Sequence, residues 1–278
     1  MNIEWNAIAL IAAQEARIQI RSRWTGGFAV IFAALSLAIS YFGLVTAGSA
    51  GFQGFERTTV SLLNLILYLA PLVGLVMATL SMTGDSGARE LLFSQPVSRG
   101  EILLGKVAGL FAAMSVAMLA GFGLTGLVIA SRVDTQGIFR FALFVTLSLV
   151  LSLVFVVLGT LVAATARSRT KAFALALFTW FFFVLFYDLL VIGVSFLLRE
   201  KTANQLVLAA LFGNPVDLVR VASLLSLNDP TLFGPAGAAL MKFVGGVKTG
   251  SVLLAAALAA WVAAPAFLAA WILRRSDL

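Results

Sequence analysis

From Arg23 to Arg274 the chain alternates long apolar runs with short charged clusters. Runs free of Asp, Glu, Lys and Arg cover 24–55, 58–84, 107–131, 141–166 and 249–273. A sixth, 172–198, is interrupted only by Asp188. The hydrocarbon core of a bilayer takes about 20 apolar residues per helical crossing. The runs therefore predict transmembrane helices near 26–47, 59–82, 107–131, 141–165, 172–197 and 250–273. No amphipathic period survives within them and the mean hydropathy is +1.05, which argues against a soluble helical bundle. The expected fold class is an all-α polytopic membrane protein, with 1–278 forming a single transmembrane domain.

The segments between the runs add detail. Before the first span, Trp5, Ile8, Ala9, Ala12 and Ala16 recur at helical spacing opposite Asn6, Gln14, Arg17 and Arg21. This predicts an amphipathic interfacial helix over 3–23. The early Glu4 and Glu15 and the late Arg17, Arg21 and Arg23 do not fit a cleavable signal peptide. The outer loop 198–249 is the one large segment between spans on its side. Within it Asn214 can cap a helix, Pro215 suits the first turn and Asp217 favours the positive end. Short outer helices, resting on the membrane face, are expected there between the fifth and sixth spans. Two spans carry seams of small residues spaced by four: Gly105, Gly109, Ala113, Ala117, Gly121 and Thr125 in the third, and Ser251, Ala255, Ala259 and Ala263 in the last. Such seams let helix backbones approach closely.

Composition narrows the chemistry. The chain has no cysteine and no histidine, so it offers no disulfide, no zinc or haem ligation of the usual kind, and no Ser-His-Asp or Cys-His catalysis. No catalytic, cofactor-binding or metal residues are assigned, and the chain is not expected to be an enzyme. Met114 and Met118 share a helix face; they are read as packing residues rather than soft copper ligands. Gly100 to Lys106 fits most of a phosphate-binding loop, but Val107 stands where the hydroxyl that holds magnesium belongs, and a membrane helix follows. The net charge of +7 comes from Lys and Arg at span ends, where they meet headgroups, and does not point to nucleic acid. The basic loop 167–171 and the closing Arg274-Arg275 favour a cytoplasmic location for both termini.

The inner loop 83–106 reads TGDSGARELLFSQPVSRGEILLGK. Asp85 or Ser86 can start a short helix, Leu91 and Leu92 give it an apolar spot, and Pro96 stops it. Ser98 and Glu101 are spaced as a capping box for the third span. This loop resembles the first intracellular loop of ABC-2 type transporter permeases. The resemblance rests on Asp85, Gly87, Leu91, Leu92, Ser94, Pro96, Arg99, Ile102, Leu104, Gly105 and Lys106. The leader QEARIQIRSRW at 14–24 is similar to that family's amphipathic connecting helix, and the six-span layout extends the likeness over nearly the whole chain. Ala88-Arg89 departs from the Thr-Leu common in the family. More narrowly, Asn214-Pro215-x-Asp217-x-x-Arg220 and the Phe-Tyr-Asp188-Leu-Leu stretch are similar to permeases of copper-processing systems that mature nitrous-oxide reductase.

The resemblance implies a permease subunit in the cell inner membrane, acting as a homodimer with two copies of a separate cytoplasmic ABC ATPase that binds the ATP and magnesium. It implies that Asp85, Gly87, Arg89, Glu90, Leu91, Leu92, Ser94, Pro96 and Arg99 couple to that ATPase. It also implies that Asn214, Pro215, Asp217 and Arg220, besides capping an outer helix, meet a periplasmic protein. Asp188, the intramembrane carboxylate, is a functional candidate by position and should face protein and be paired or protonated, with Arg140 or neighbours of Tyr187 on other helices as expected partners. Two alternatives stand beside this reading: a non-transporting scaffold of an envelope complex, and a proton-coupled secondary transporter using Asp188.

Overall fold

The computed structural model describes residues 5–46, 51–84, 98–130, 135–166, 168–226 and 247–275. Of the coupling positions, Asp85, Gly87, Arg89, Glu90, Leu91, Leu92, Ser94 and Pro96 lie outside the described residues. Every described element is a helix. In chain order they are α1 Trp5–Ile20, α2 Arg23–Thr46, α3 Gly51–Met82, α4 Arg99–Ala130, α5 Thr135–Thr165 and α6 Arg169–Phe181. A π-helical segment, Phe182–Phe186, joins α6 to α7 Tyr187–Phe196. Then follow α8 Glu200–Gly213, α9 Pro215–Ser226 and α10 Val247–Arg275. Six of these stretches are long and apolar enough to cross a bilayer: Arg23–Gly43, Arg57–Met82, Arg99–Ala130, Thr135–Thr165, Arg169–Phe196 and Thr249–Arg275. The expected six-span, all-α membrane fold is the observed one.

Packing centres on α3, α4 and α5. Gly159 of α5 lies against α3 so closely that a Cβ there would stand 2.7 Å from the Ala78 Cβ. Phe122 of α4 packs edge-on against Phe32, Phe141 and Phe144. Met114 and Met118 are fully buried in the same core, consistent with their reading as packing residues. The start of α4 is closed by the expected reciprocal capping box. The Ser98 N–H donates to Glu101 Oε2 at 2.9 Å, and the Glu101 N–H donates to Ser98 Oγ at 3.3 Å.

The two small-residue seams have different fates. The seam of the third span is filled by this same chain. A Cβ on Gly105 would come within 2.7 Å of Ile11 on α1, and one on Gly121 within 2.6 Å of the Phe32 ring on α2. The apolar side of α1 therefore meets α4 through Ile8 and Ile11 rather than facing lipid alone. The seam of the last span, Ser251, Ala255, Ala259 and Ala263, instead lines an open apolar groove of about 620 Å³, opposite Leu143, Leu147 and Val150 of α5.

The outer loop departs most from expectation. Helices α8 and α9 form a hairpin bent by 102° at Asn214. Rather than resting on the membrane face, α9 is buried against α3, α5 and α10. Val216, Leu218, Val219 and Leu225 are nearly inaccessible. Apolar residues on most sides of this short helix suit it to a protein-filled slot.

Candidate functional site

The hairpin bend and the π segment meet, and their contact gathers the chain's intramembrane charge. In a π turn the backbone N–H reaches back five residues rather than four. The Tyr187 N–H does so, donating to Phe182 O. One residue over, the Phe183 carbonyl accepts a hydrogen bond from Asn214 Nδ2 at 3.0 Å. Asn214 reaches it because α8 ends at Gly213 and the chain runs extended through Asn214 before Pro215 starts α9. Proline is well placed at a first helical position, where no backbone N–H is required.

Asn214 is fully buried and uses both ends of its amide. Its Oδ1 accepts from the Val216 N–H at 3.0 Å, and its Nδ2 also donates to Asp217 Oδ2 at 3.0 Å. It is thus the expected helix cap, and it is more: it ties the cap to the span behind it. Asp217 Oδ1 then accepts from Arg220 Nη1 at 2.7 Å, one turn along α9. The same Arg220 Nη1 donates to Asp188 Oδ2 at 2.9 Å. One guanidinium therefore holds two carboxylates, one from each side of the hairpin–span contact. The Asp188 and Arg220 side chains are each 32% exposed, so the pair sits at the edge of the packed region.

Aromatic side chains complete the joint. The Tyr187 hydroxyl donates to Ala210 O at 2.9 Å, and the Trp261 indole N–H donates to Phe212 O at 3.0 Å. These are carbonyls of the last turn of α8, which no helical N–H satisfies. The Trp261 ring stands edge-on to Phe183 at 5.4 Å. Gly213 leaves room for this contact, since a Cβ there would displace the Tyr187 hydroxyl. The hairpin is thereby tied both to the fifth span, through Phe183, Tyr187 and Asp188, and to the last span, through Trp261.

Asp188 is paired, as an intramembrane carboxylate is expected to be if it is charged, and with a residue other than Arg140. Its partner is Arg220. Asn214 and Pro215, expected to meet a periplasmic protein, are buried within the chain. Asp217 is largely covered too, with 14% of its side chain exposed. The sequence held a signal for this assembly: Arg220 is a lone cation in the apolar helix PVDLVRVASLL, as Asp188 is a lone anion in FFFVLFYDLLVIGV. Charges in such settings demand counter-charges. At the opposite end of the bundle, Arg99 Nη1 donates to Leu273 O at 2.6 Å, joining the start of α4 to the last turn of α10. No group of three or more metal-ligating acids occurs among the described residues.

Six spans with a bent helical hairpin packed among them make a multi-pass membrane domain. The chain belongs to the ABC-2 family: residues 9–278 match the ABC-2 family transporter protein. It is similar to the probable ABC transporter permease protein NosY of Pseudomonas aeruginosa, with 32% identity over 271 residues, 95% of this chain and 97% of the relative. The protein of the same name in Stutzerimonas stutzeri is 31% identical over 283 residues, 99% of each chain. The chain is thus an ABC transporter permease.

Proposed function

We propose that two copies of this chain form the membrane half of an ATP-driven complex in the cell inner membrane, with a separate ATPase binding ATP and magnesium on the cytoplasmic side. ATP binding and hydrolysis shift the fifth and last spans, and the outer hairpin carries that shift to the periplasmic surface. The observation that supports this reading is the Asp188–Arg220–Asp217–Asn214 network, which couples the hairpin to the fifth span through charge and backbone contacts together. A hairpin that merely covered the outer surface would not need a guanidinium shared between a span and a loop helix. The likeness of the Asn214-Pro215-x-Asp217-x-x-Arg220 stretch to permeases of copper-processing systems supports a part in copper-enzyme maturation. The chain offers no histidine or cysteine as a copper ligand. The output is motion passed to a periplasmic protein, or movement of a non-metal substrate. The exposed start of α8, around Lys201, Thr202 and Gln205, takes the place of Asn214 as the surface such a protein would touch.

Two experiments test this. Co-expression with the companion ATPase should yield a complex with equal numbers of permease and ATPase chains, two of each; a permease that purifies alone at full yield would favour the scaffold reading. Topology can be read with single cysteines, since the natural chain has none. Cysteine at Gly51, Thr135 or Asn228 should react with an impermeant thiol reagent from outside, and at Ser168 only after the membrane is opened. Outside labelling at Ser168 would invert the orientation and with it the side on which the ATPase binds.

A further inference from the structure

We propose that Glu15 is a positioning residue for ATP coupling, whose carboxylate clamps both ends of the 83–98 loop to α1. This rests on the reading of that loop as the ATPase contact.

Glu15 lies on the N-terminal amphipathic helix, yet its side chain is only 8% exposed and that of its partner Lys106 only 15%. Each carboxylate oxygen has a defined task. Oε1 accepts from Ser81 Oγ at 2.7 Å and from Gln19 Nε2 at 2.8 Å. Oε2 faces Lys106 Nζ at 3.4 Å. Lys106 Nζ also donates to Ser81 O at 3.1 Å and to Ser81 Oγ at 3.2 Å. Ser81 is in the last turn of α3, just before the loop, and Lys106 is in the second turn of α4, just after it. Three elements distant in sequence thus meet at one carboxylate, and two of them are the exits of the same loop.

The meeting is built into the backbone. Gly109 lies at the closest approach of α1 to α4, where a Cβ would stand 2.6 Å from the Glu15 Cβ and 2.5 Å from Ala12 O. Small residues at such a crossing allow the helices to touch. Glu15 is therefore held where it can reach both Ser81 and Lys106. A covered ion pair contributes little if it is only one among many stabilising contacts, but removing one member leaves the other without compensation. Its directional use is to fix geometry. A displacement of either exit pulls on Glu15, and hence on α1, so the leader helix moves with the loop instead of sliding past it.

The test uses the whole permease–ATPase complex in lipid nanodiscs and reads amide hydrogen exchange with and without a non-hydrolysable ATP analogue and magnesium. In the natural protein the analogue should change exchange in both the 83–98 loop and α1. Glu15→Gln keeps the size and the acceptor for Ser81 but removes the charge facing Lys106; Lys106→Met removes the other half. In either variant the loop should still respond, while the response of α1 falls roughly tenfold, as expected when a charged hydrogen bond is lost. The double variant should lose no more than Lys106→Met alone, because that change already removes the contact with Glu15 that Glu15→Gln weakens. An α1 response that persists in the single variants, even if their melting temperatures drop, would make the clamp merely structural and overturn the proposal, as would additive losses in the double variant. If the loop of the natural protein ignores the analogue, the coupling reading itself fails, and this inference falls with it by a distinguishable result.

Discussion

Replacing Arg220 with methionine should destabilise the outer half of the bundle more than any other single change in its polar network. The guanidinium is shared by Asp188 and Asp217, so its loss leaves two carboxylates facing each other without a cation. Breaking a buried ion pair by removing one partner costs about 3–5 kcal/mol. With Asp188 and Arg220 each about a third exposed, solvent screening lowers this to roughly 2–3 kcal/mol. Asp188→Asn should be far milder, under about 1 kcal/mol, because Arg220 keeps Asp217 and the pair becomes electrically neutral. Thermal unfolding of the purified chain in detergent, followed by tryptophan fluorescence, should give that order. Adding Asp188→Leu and Asp217→Asn to Arg220→Met should recover much of the loss, since no unpaired charge remains. Equal destabilisation by Arg220→Met and Asp188→Asn would mean that the shared guanidinium is not the keystone of the joint.

The second large effect is expected at the proposed ATPase contact. Leu91 and Leu92 form an adjacent apolar pair in the sequence between the second and third spans, and burying such side chains in a partner's groove contributes about 1.5–3 kcal/mol each. Changing both to aspartate removes that gain and places two charges in an apolar contact. The double variant should still insert and fold, because Ser98 and Glu101 cap α4 independently of the loop. It should lose the ATPase on purification, or retain it with hydrolysis no longer responsive to the permease. Gln205→Ala on the exposed side of α8 should leave ATPase binding unchanged. An aspartate pair that assembles and couples normally would remove the loop from the coupling path.

Much of this architecture was legible because lipid imposes simple rules. Charge-free runs longer than a bilayer crossing could only be spans. The Ser98–Glu101 spacing named the start of α4, and the glycine seam of the third span announced a close helix contact. Asp188 had to be paired or protonated. What the sequence did not convey was pairing across distance. Arg220 lies 32 residues from Asp188, and nothing in local pattern selects it over Arg140. The hairpin's burial was hidden because α9 is apolar on most sides, a composition that suits lipid and protein equally. The π segment left no mark, since FFVLF fits an α-helix as well; its Phe183 carbonyl accepts from Asn214, which is 31 residues away. Glu15 read as part of the polar leader, and only its contact with the two loop exits makes it a buried group.

In the proposed mechanism ATP on one side of the membrane moves the hairpin on the other. A spin label on cysteine at Thr202, an exposed position in the first turn of α8, gives one distance between the two copies of a dimer. In the complex with its ATPase in nanodiscs, that distance should shift when a non-hydrolysable ATP analogue and magnesium are added. The shift should vanish in the Leu91/Leu92 aspartate variant. It should weaken in Arg220→Met, where the hairpin is no longer tied to the fifth span. A distance that stays fixed while the same complex hydrolyses ATP would contradict the account.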